Sequence, residues 1–219
     1  MDAVIEFLPK VLVATGETLL YVAVALLIGG LLGLIIGVSI VVTRKGGLTP
    51  NQPVYWLLNV LVNFFRPIPF LILMVALQPL ARIVVGTGIQ SPAFMFVLSF
   101  AATFGIARLV EQNLLTVDPG VIEAARAMGA GPLRIILTVL IPEGLGPLIL
   151  GYTFAFIAIV DMSALAGIIG GGGLGNLALQ YGFRQFNPWI TWGTVLVMVI
   201  IVQLAQVVGN ALARKVLRR

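Results

Sequence analysis

The chain is almost continuously apolar, and its polar positions fall into a few short interruptions. Five stretches are long enough to carry a helix across a bilayer, which takes about 20 apolar residues. They are residues 18–42 (TLLYVAVALLIGGLLGLIIGVSIVV), 56–80, 92–115, 142–167 and 188–208. The first contains Gly29, Gly30, Gly33 and Gly37, mostly at a small-xxx-small spacing that lets a second helix approach closely. Glycine is also simply frequent in membrane helices. The polar stretch TRKGGLTPNQP that follows reads as a turn. In the second stretch, NFFRPIPFLILM places Pro67 and Pro69 where no regular helix can continue. The lipid-crossing part is therefore expected to begin near them, with the preceding residues at the membrane surface.

Composition agrees with this pattern: 60% of the 219 residues are hydrophobic and only 10% charged, against about 25% charged in soluble domains. The mean hydropathy is +1.12. The expected fold class is an all-α polytopic membrane protein, forming one membrane domain over residues 1–219. Near the N-terminus, Lys10 and the Ala-Val-Ala at 23–25 could suggest a signal peptide. The apolar run continues to Val42, however, far beyond the about 7–15 residues of such a segment, so a retained transmembrane helix is expected.

Charge then sets the orientation. Five spans put the termini on opposite sides. One side collects Arg44, Lys45, Arg108, Arg126, Arg134, Arg214, Lys215, Arg218 and Arg219, nine of the 13 basic residues. The other has Lys10, Arg82 and Arg184, and Arg66 lies at the uncertain start of the second span. The positive-inside rule places the C-terminus in the cytoplasm and the N-terminus outside, with Trp189 and Trp192 at the outer interface. The net charge of +5 is accounted for by this topology and points to lipid, not to nucleic acid. With no cysteine and no histidine, disulfides, thiolate chemistry, imidazole bases and the common zinc sites are excluded.

One interruption is too elaborate for a connector. Between the third and fourth spans, residues 118–141 hold more than twenty positions, where helix–helix connections usually need about 2–8. Asp118-Pro119 suits a helix start. Val121, Ala125 and Met128 share a face at i, i+4 and i+7. Glu123 and Arg126 both complement the helix dipole, Gly129 suits a left-handed cap, and Pro132 can open a second helix towards Pro142. This predicts a helix, a glycine turn and a second helix on the cytoplasmic side. Its apolar face needs a partner, either the chain's own core or another protein.

The spacing here resembles a known signature. Glu123-Ala124-Ala125, three residues, Gly129, nine residues, then Val139-x-Ile141-Pro142 is similar to the "EAA" signature of binding-protein-dependent ABC importer permeases. That signature ends Ile-x-Leu-Pro, so the departures are aliphatic swaps at Val139 and Ile141. With NFFRPIPFLILMVALQPLARIVVGT, ARLVEQNLL, EAARAMGAGPLRIILTVLIPE and GIIGGGGLGNLALQYGF, the resemblance covers nearly the whole chain and looks like the methionine-uptake branch. It implies five spans of the type I permease fold, a homodimer in the cell's inner membrane, two ATPase subunits and an extracytoplasmic binding protein. ATP and Mg would be bound by the ATPase partner, and this chain would carry no cofactor. The insert would be the helix that docks on the ATPase, with Glu123, Ala124, Ala125 and Gly129 as the docking residues and Arg126 and Met128 beside them.

Other residues stand out without that resemblance. Arg108 and Glu111 are spaced to pair on one helix face, at the cytoplasmic end of the third span. Asp161 lies 19 positions after Pro142, about 28 Å along a straight helix, deep towards the outer side. It either faces a path or gate inside the protein or, if the helix breaks early, sits at the interface. Gly167–Gly175 (GIIGGGGLG) cannot be a stable regular helix, and irregular backbone at that depth has to be buried or line a cavity. The expectation is an outer closure of the translocation path formed by Gly170, Gly171, Gly172 and Gly173 beside Asp161, Met162 and Ser163. It lacks the lysine and Ser/Thr of a phosphate-binding loop. Two alternatives remain at this stage: an importer permease for another amino acid or small polar solute, and an ion-coupled secondary transporter using Asp161. The latter class often shows internal repeats, and none is convincing here.

Overall fold

Long apolar runs fold here as long helices. In the computed structural model, which describes residues 2–217 and side chains from Phe7 onward, no strand occurs among the described residues. Arg218 and Arg219, counted above towards orientation, lie outside the described residues. The helices are α1 (Asp2–Thr43), α2 (Gln52–Phe65), α3 (Phe70–Ala76), α4 (Gln78–Val85), α5 (Gln90–Leu114), α6 (Pro119–Ala127) and α7 (Pro132–Ile135). A π-helical turn, Ile136–Leu140, leads to α8 (Ile141–Glu143) and α9 (Leu145–Ser163). A 3₁₀ turn (Ala166–Ile169), α10 (Gly173–Leu177), a second π-helical turn (Ala178–Phe183) and α11 (Pro188–Leu217) follow.

Four of these, α1, α5, α9 and α11, are long and apolar enough to cross a membrane. The second stretch is broken at its two prolines, as expected: α2 and α3 meet at a bend of 105°, at Arg66-Pro67-Ile68-Pro69, where the prolines remove backbone donors and crowd the preceding turn. Counted as one span, the bent pair makes five. Ahead of the bend, α2 is capped by Asn51, whose Oδ1 accepts the Val54 N–H at 3.2 Å. The expected fourth span is shorter than its apolar run. It begins after Pro142 and Gly144 and ends at Ser163, where Ala164 and Leu165 N–H switch to tighter bonds with Asp161 and Met162 carbonyls. The fifth runs nine residues past Val208, to Leu217.

Residues cluster into two compact units: Met1–Gly29, Ile68–Ala102 and Phe156–Ala205 in one, Gly30–Pro67, Thr103–Ala155 and Gln206–Arg219 in the other. Four of their boundaries fall inside α1, α5, α9 and α11, and the fifth, between Pro67 and Ile68, falls in the bend between α2 and α3. In the first unit the core is partly aromatic, with Phe94 edge-on to Tyr21 at 5.3 Å and to Phe70 at 5.9 Å. In the second, α1 lies close against α5. A Cβ on Gly33 would come within 2.8 Å of Ile106 Cβ, and one on Gly37 within 2.6 Å of both Val110 Cβ and the Ala107 carbonyl. These two glycines are therefore small because a helix packs on them.

Candidate coupling and translocation sites

The insert of the second unit is built from its caps. Asp118 Oδ1 accepts the Gly120 N–H at 2.8 Å and Pro119 starts α6. At the other end Gly129 has φ +79°, with Gly129 N–H bonded to the Arg126 carbonyl at 2.9 Å and Ala130 N–H to the Ala125 carbonyl at 3.1 Å. This is the paired bonding of a Schellman cap. The second helix arrives in pieces: α7, the π-helical turn and α8. Proline 142 can neither donate to the carbonyl four residues back nor tolerate its approach, and a widened turn immediately before it relieves both conflicts.

The exposed face of α6 is rotated from the expected one. Ala125 is 4% exposed and packs into the chain's own interior, with Ile122 half-buried beside it, whereas Val121 is exposed and Met128 is 81% exposed. At about 100° per residue, Ile122 and Ala125 bracket the inward direction, and Val121 and Met128 lie at or beyond its edge. Glu123, Ala124, Arg126, Ala127, Met128 and Gly129 are outward, and Ala125 is the one expected docking residue whose side chain is not presented. Arg126 has a partner within the chain: its Nη2 donates to the Gly47 carbonyl at 2.7 Å. Glu123 and Arg126 line a cleft of about 110 Å³ with Arg44, Gly46 and Gly47. The turn after α1 is thus tied to α6.

Arg108 and Glu111 pair as expected, Nη1 to Oε2 at 2.6 Å, and Glu111 is 8% exposed. Asn59 Oδ1 of α2 accepts a longer bond from the same Arg108 nitrogen at 3.4 Å. Arg108 Nε is buried without a hydrogen-bond partner.

The glycine segment belongs to the first unit. Asp161, in the last turn of α9, is exposed on this chain, and Met162 is half-buried. Ser163 is 1% exposed and its Oγ donates to the Val160 carbonyl at 2.6 Å, so it serves its own helix end. After the 3₁₀ turn, Gly170 and Gly173 adopt φ +78° and +91°, conformations that disfavour any side chain. Three successive amides then leave the backbone network. Gly172 N–H donates to Tyr21 Oη at 3.1 Å, Gly173 N–H to Glu17 Oε2 at 2.6 Å, and Leu174 N–H to Thr18 Oγ1 at 2.9 Å. Tyr21 Oη also shares a 2.7 Å bond with Ser91 Oγ. Sequence reasoning missed Glu17, Thr18 and Tyr21. Their one local signal is the i, i+1, i+4 placement of polar groups where the long apolar run of α1 begins. Among the described residues, no cluster of acidic side chains could hold a metal ion.

Comparison with known proteins matches residues 29–219 to the family described as "Binding-protein-dependent transport system inner membrane component". A probable D-methionine transport system permease protein of Vibrio cholerae is 43% identical over 205 residues, covering 94% of this chain and 91% of that protein. The methionine import system permease protein of Bacillus subtilis is 41% identical, covering 81% of this chain and 80% of that one. Among solved structures, an inward-facing MetNI methionine ABC transporter chain superimposes with a TM-score of 0.93 at 38% identity, covering 96% and 98% of the two chains.

Proposed function

Because this chain belongs to the family of binding-protein-dependent transport system inner membrane components, we propose that it is the permease subunit of an ATP-driven methionine importer. In this reading it is a multi-pass protein of the inner membrane with five spans, counting the bent α2–α3 pair as one, its N-terminus outside and its C-terminus in the cytoplasm. Two copies form the path. Two ATPase subunits bind ATP and Mg at the cytoplasmic face, and an extracytoplasmic binding protein delivers substrate. The chain itself performs no hydrolysis.

The observation that carries this reading is the capped α6 and its outward face. A nine-residue helix fixed at both ends and presenting Glu123, Ala124, Ala127 and Met128 is suited to enter a groove. Small residues at 124 and 127 let the partner approach the backbone, and Met128 supplies an adaptable apolar contact. Ala125 holds the helix on the chain, and Arg126 ties it to the turn at Gly47, so displacement of α6 is passed to the end of α1. On ATP binding the two insert helices are drawn together and the path opens outward. The glycine segment, with Asp161 and Met162 next to it, is the outer closure.

Co-expression with the genomic neighbours tests the docking role. The ATPase is expected to co-purify with the native chain and to be lost with Glu123→Arg, while the chain still inserts and folds. Retention of the ATPase at native stoichiometry by Glu123→Arg and by Met128→Asp would remove α6 as the docking element.

A further inference from the structure

The residues from Gly170 to Gly173 carry no side chains with which to anchor themselves, and glycine loses more backbone entropy on ordering than any other residue. Their arrangement therefore has to be imposed from outside. Gly171 N–H is bonded locally, to the Ala166 carbonyl at 2.9 Å, but the next three amides are held by side chains of a single turn of α1: Tyr21, Glu17 and Thr18. An amide left unpaired in a membrane interior has no water to turn to. The approach is close enough that a Cβ on Gly172 would collide with the Glu17 carboxylate, and one on Gly173 would come within 2.9 Å of Thr18 Oγ1. Glycine thus serves two needs here, the left-handed turn at Gly173 and access for the α1 side chains at both positions.

We propose that Glu17, Thr18 and Tyr21 form a latch that holds the glycine segment in its closed arrangement, so that opening the path outward requires Gly173 to leave the Glu17 carboxylate. Glu17 is a positioning residue: it acts on the closure through the backbone and does not touch substrate. The three bonds differ in kind. The carboxylate bond is charge-assisted, and the hydroxyl bonds of Thr18 and Tyr21 are neutral and weaker. The proposal rests on the reading of the segment as the outer closure.

The chain has no cysteine, so a single Ile168→Cys substitution at an exposed position beside the segment reports accessibility with no background from this subunit. The transporter, assembled with its ATPase and binding protein, is reacted from outside with a membrane-impermeant maleimide, without nucleotide and after vanadate trapping. In the parent, trapping is expected to speed labelling. Adding Glu17→Ala is expected to raise the nucleotide-free rate about tenfold, the factor equivalent to about 1.4 kcal/mol. Tyr21→Phe and Thr18→Val should raise it about two- to fivefold, as loss of a neutral bond would. Glu17→Gln, which keeps an acceptor oxygen but not the charge, should fall between the parent and Glu17→Ala. Should Glu17→Ala fail to assemble, Tyr21→Phe, which deletes one hydroxyl, carries the test. Trapping that speeds labelling while Glu17→Ala and Tyr21→Phe both match the parent overturns the latch alone. Labelling that trapping leaves unchanged in the parent overturns the closure and the latch together.

Discussion

Gly129 offers a perturbation in which two roles predict opposite outcomes. Its φ is +79° and a Cβ built on it meets no atom within 4 Å. A side chain there costs nothing by collision within this chain, so the cost is conformational. For alanine that is about 1–2 kcal/mol, a factor of roughly 5–30 in the population of the capped turn. Asparagine tolerates the left-handed region far better and is expected to lose about threefold or less. Both variants are purified with the co-expressed ATPase, and the ATPase retained per permease is measured across a dilution series. The cap role predicts Gly129→Ala clearly weaker than Gly129→Asn, with Asn near native. If Gly129→Asn is the weaker, the larger side chain is being excluded by the partner surface, and the reasoning from the cap is refuted.

Two predictions concern the second unit's interior. Gly37→Ala places a methyl against Val110 and the Ala107 carbonyl and is expected to cost about 1–3 kcal/mol through overpacking. Thermal denaturation in detergent, monitored by size exclusion, should show this, with Gly105→Ala unchanged because nothing lies within 4 Å of its added Cβ. Arg108→Met leaves the Glu111 carboxylate buried without its 2.6 Å partner and is expected to destabilise by about 3–5 kcal/mol. Adding Glu111→Leu should recover much of that loss in the same assay, and strictly additive losses would argue that the two residues act independently.

The features legible in the sequence were those whose causes are local. Asp118, Pro119 and Gly129 define the ends of α6 because capping is decided within a few residues. Pro67 and Pro69 mark the break after α2 for the same reason. The spacing of Glu123, Gly129 and Pro142 led to the family because it extends over twenty positions. The inward face of α6 is not legible in the same way: Val121, Ala125 and Met128 fit an apolar stripe, but which edge of a stripe is buried depends on what packs on it. Ala125 turns inward while Met128 points out. Asp161 was placed by helix length from Pro142, and α9 stops at Ser163 because of bonding in the turn that follows. The Glu17–Gly173 bond joins residues 156 positions apart. The i, i+1, i+4 spacing of Glu17, Thr18 and Tyr21 marks a polar edge but does not indicate this bond, since its cause is the backbone of a glycine segment far along the chain.

The most direct measurement is uptake of radiolabelled methionine into proteoliposomes containing this chain, its ATPase and its binding protein. Uptake is expected to require ATP inside, the binding protein outside and all three proteins together, and to stop when any one is omitted. Uptake by this chain alone without ATP, driven by an ion gradient, would contradict the proposed role.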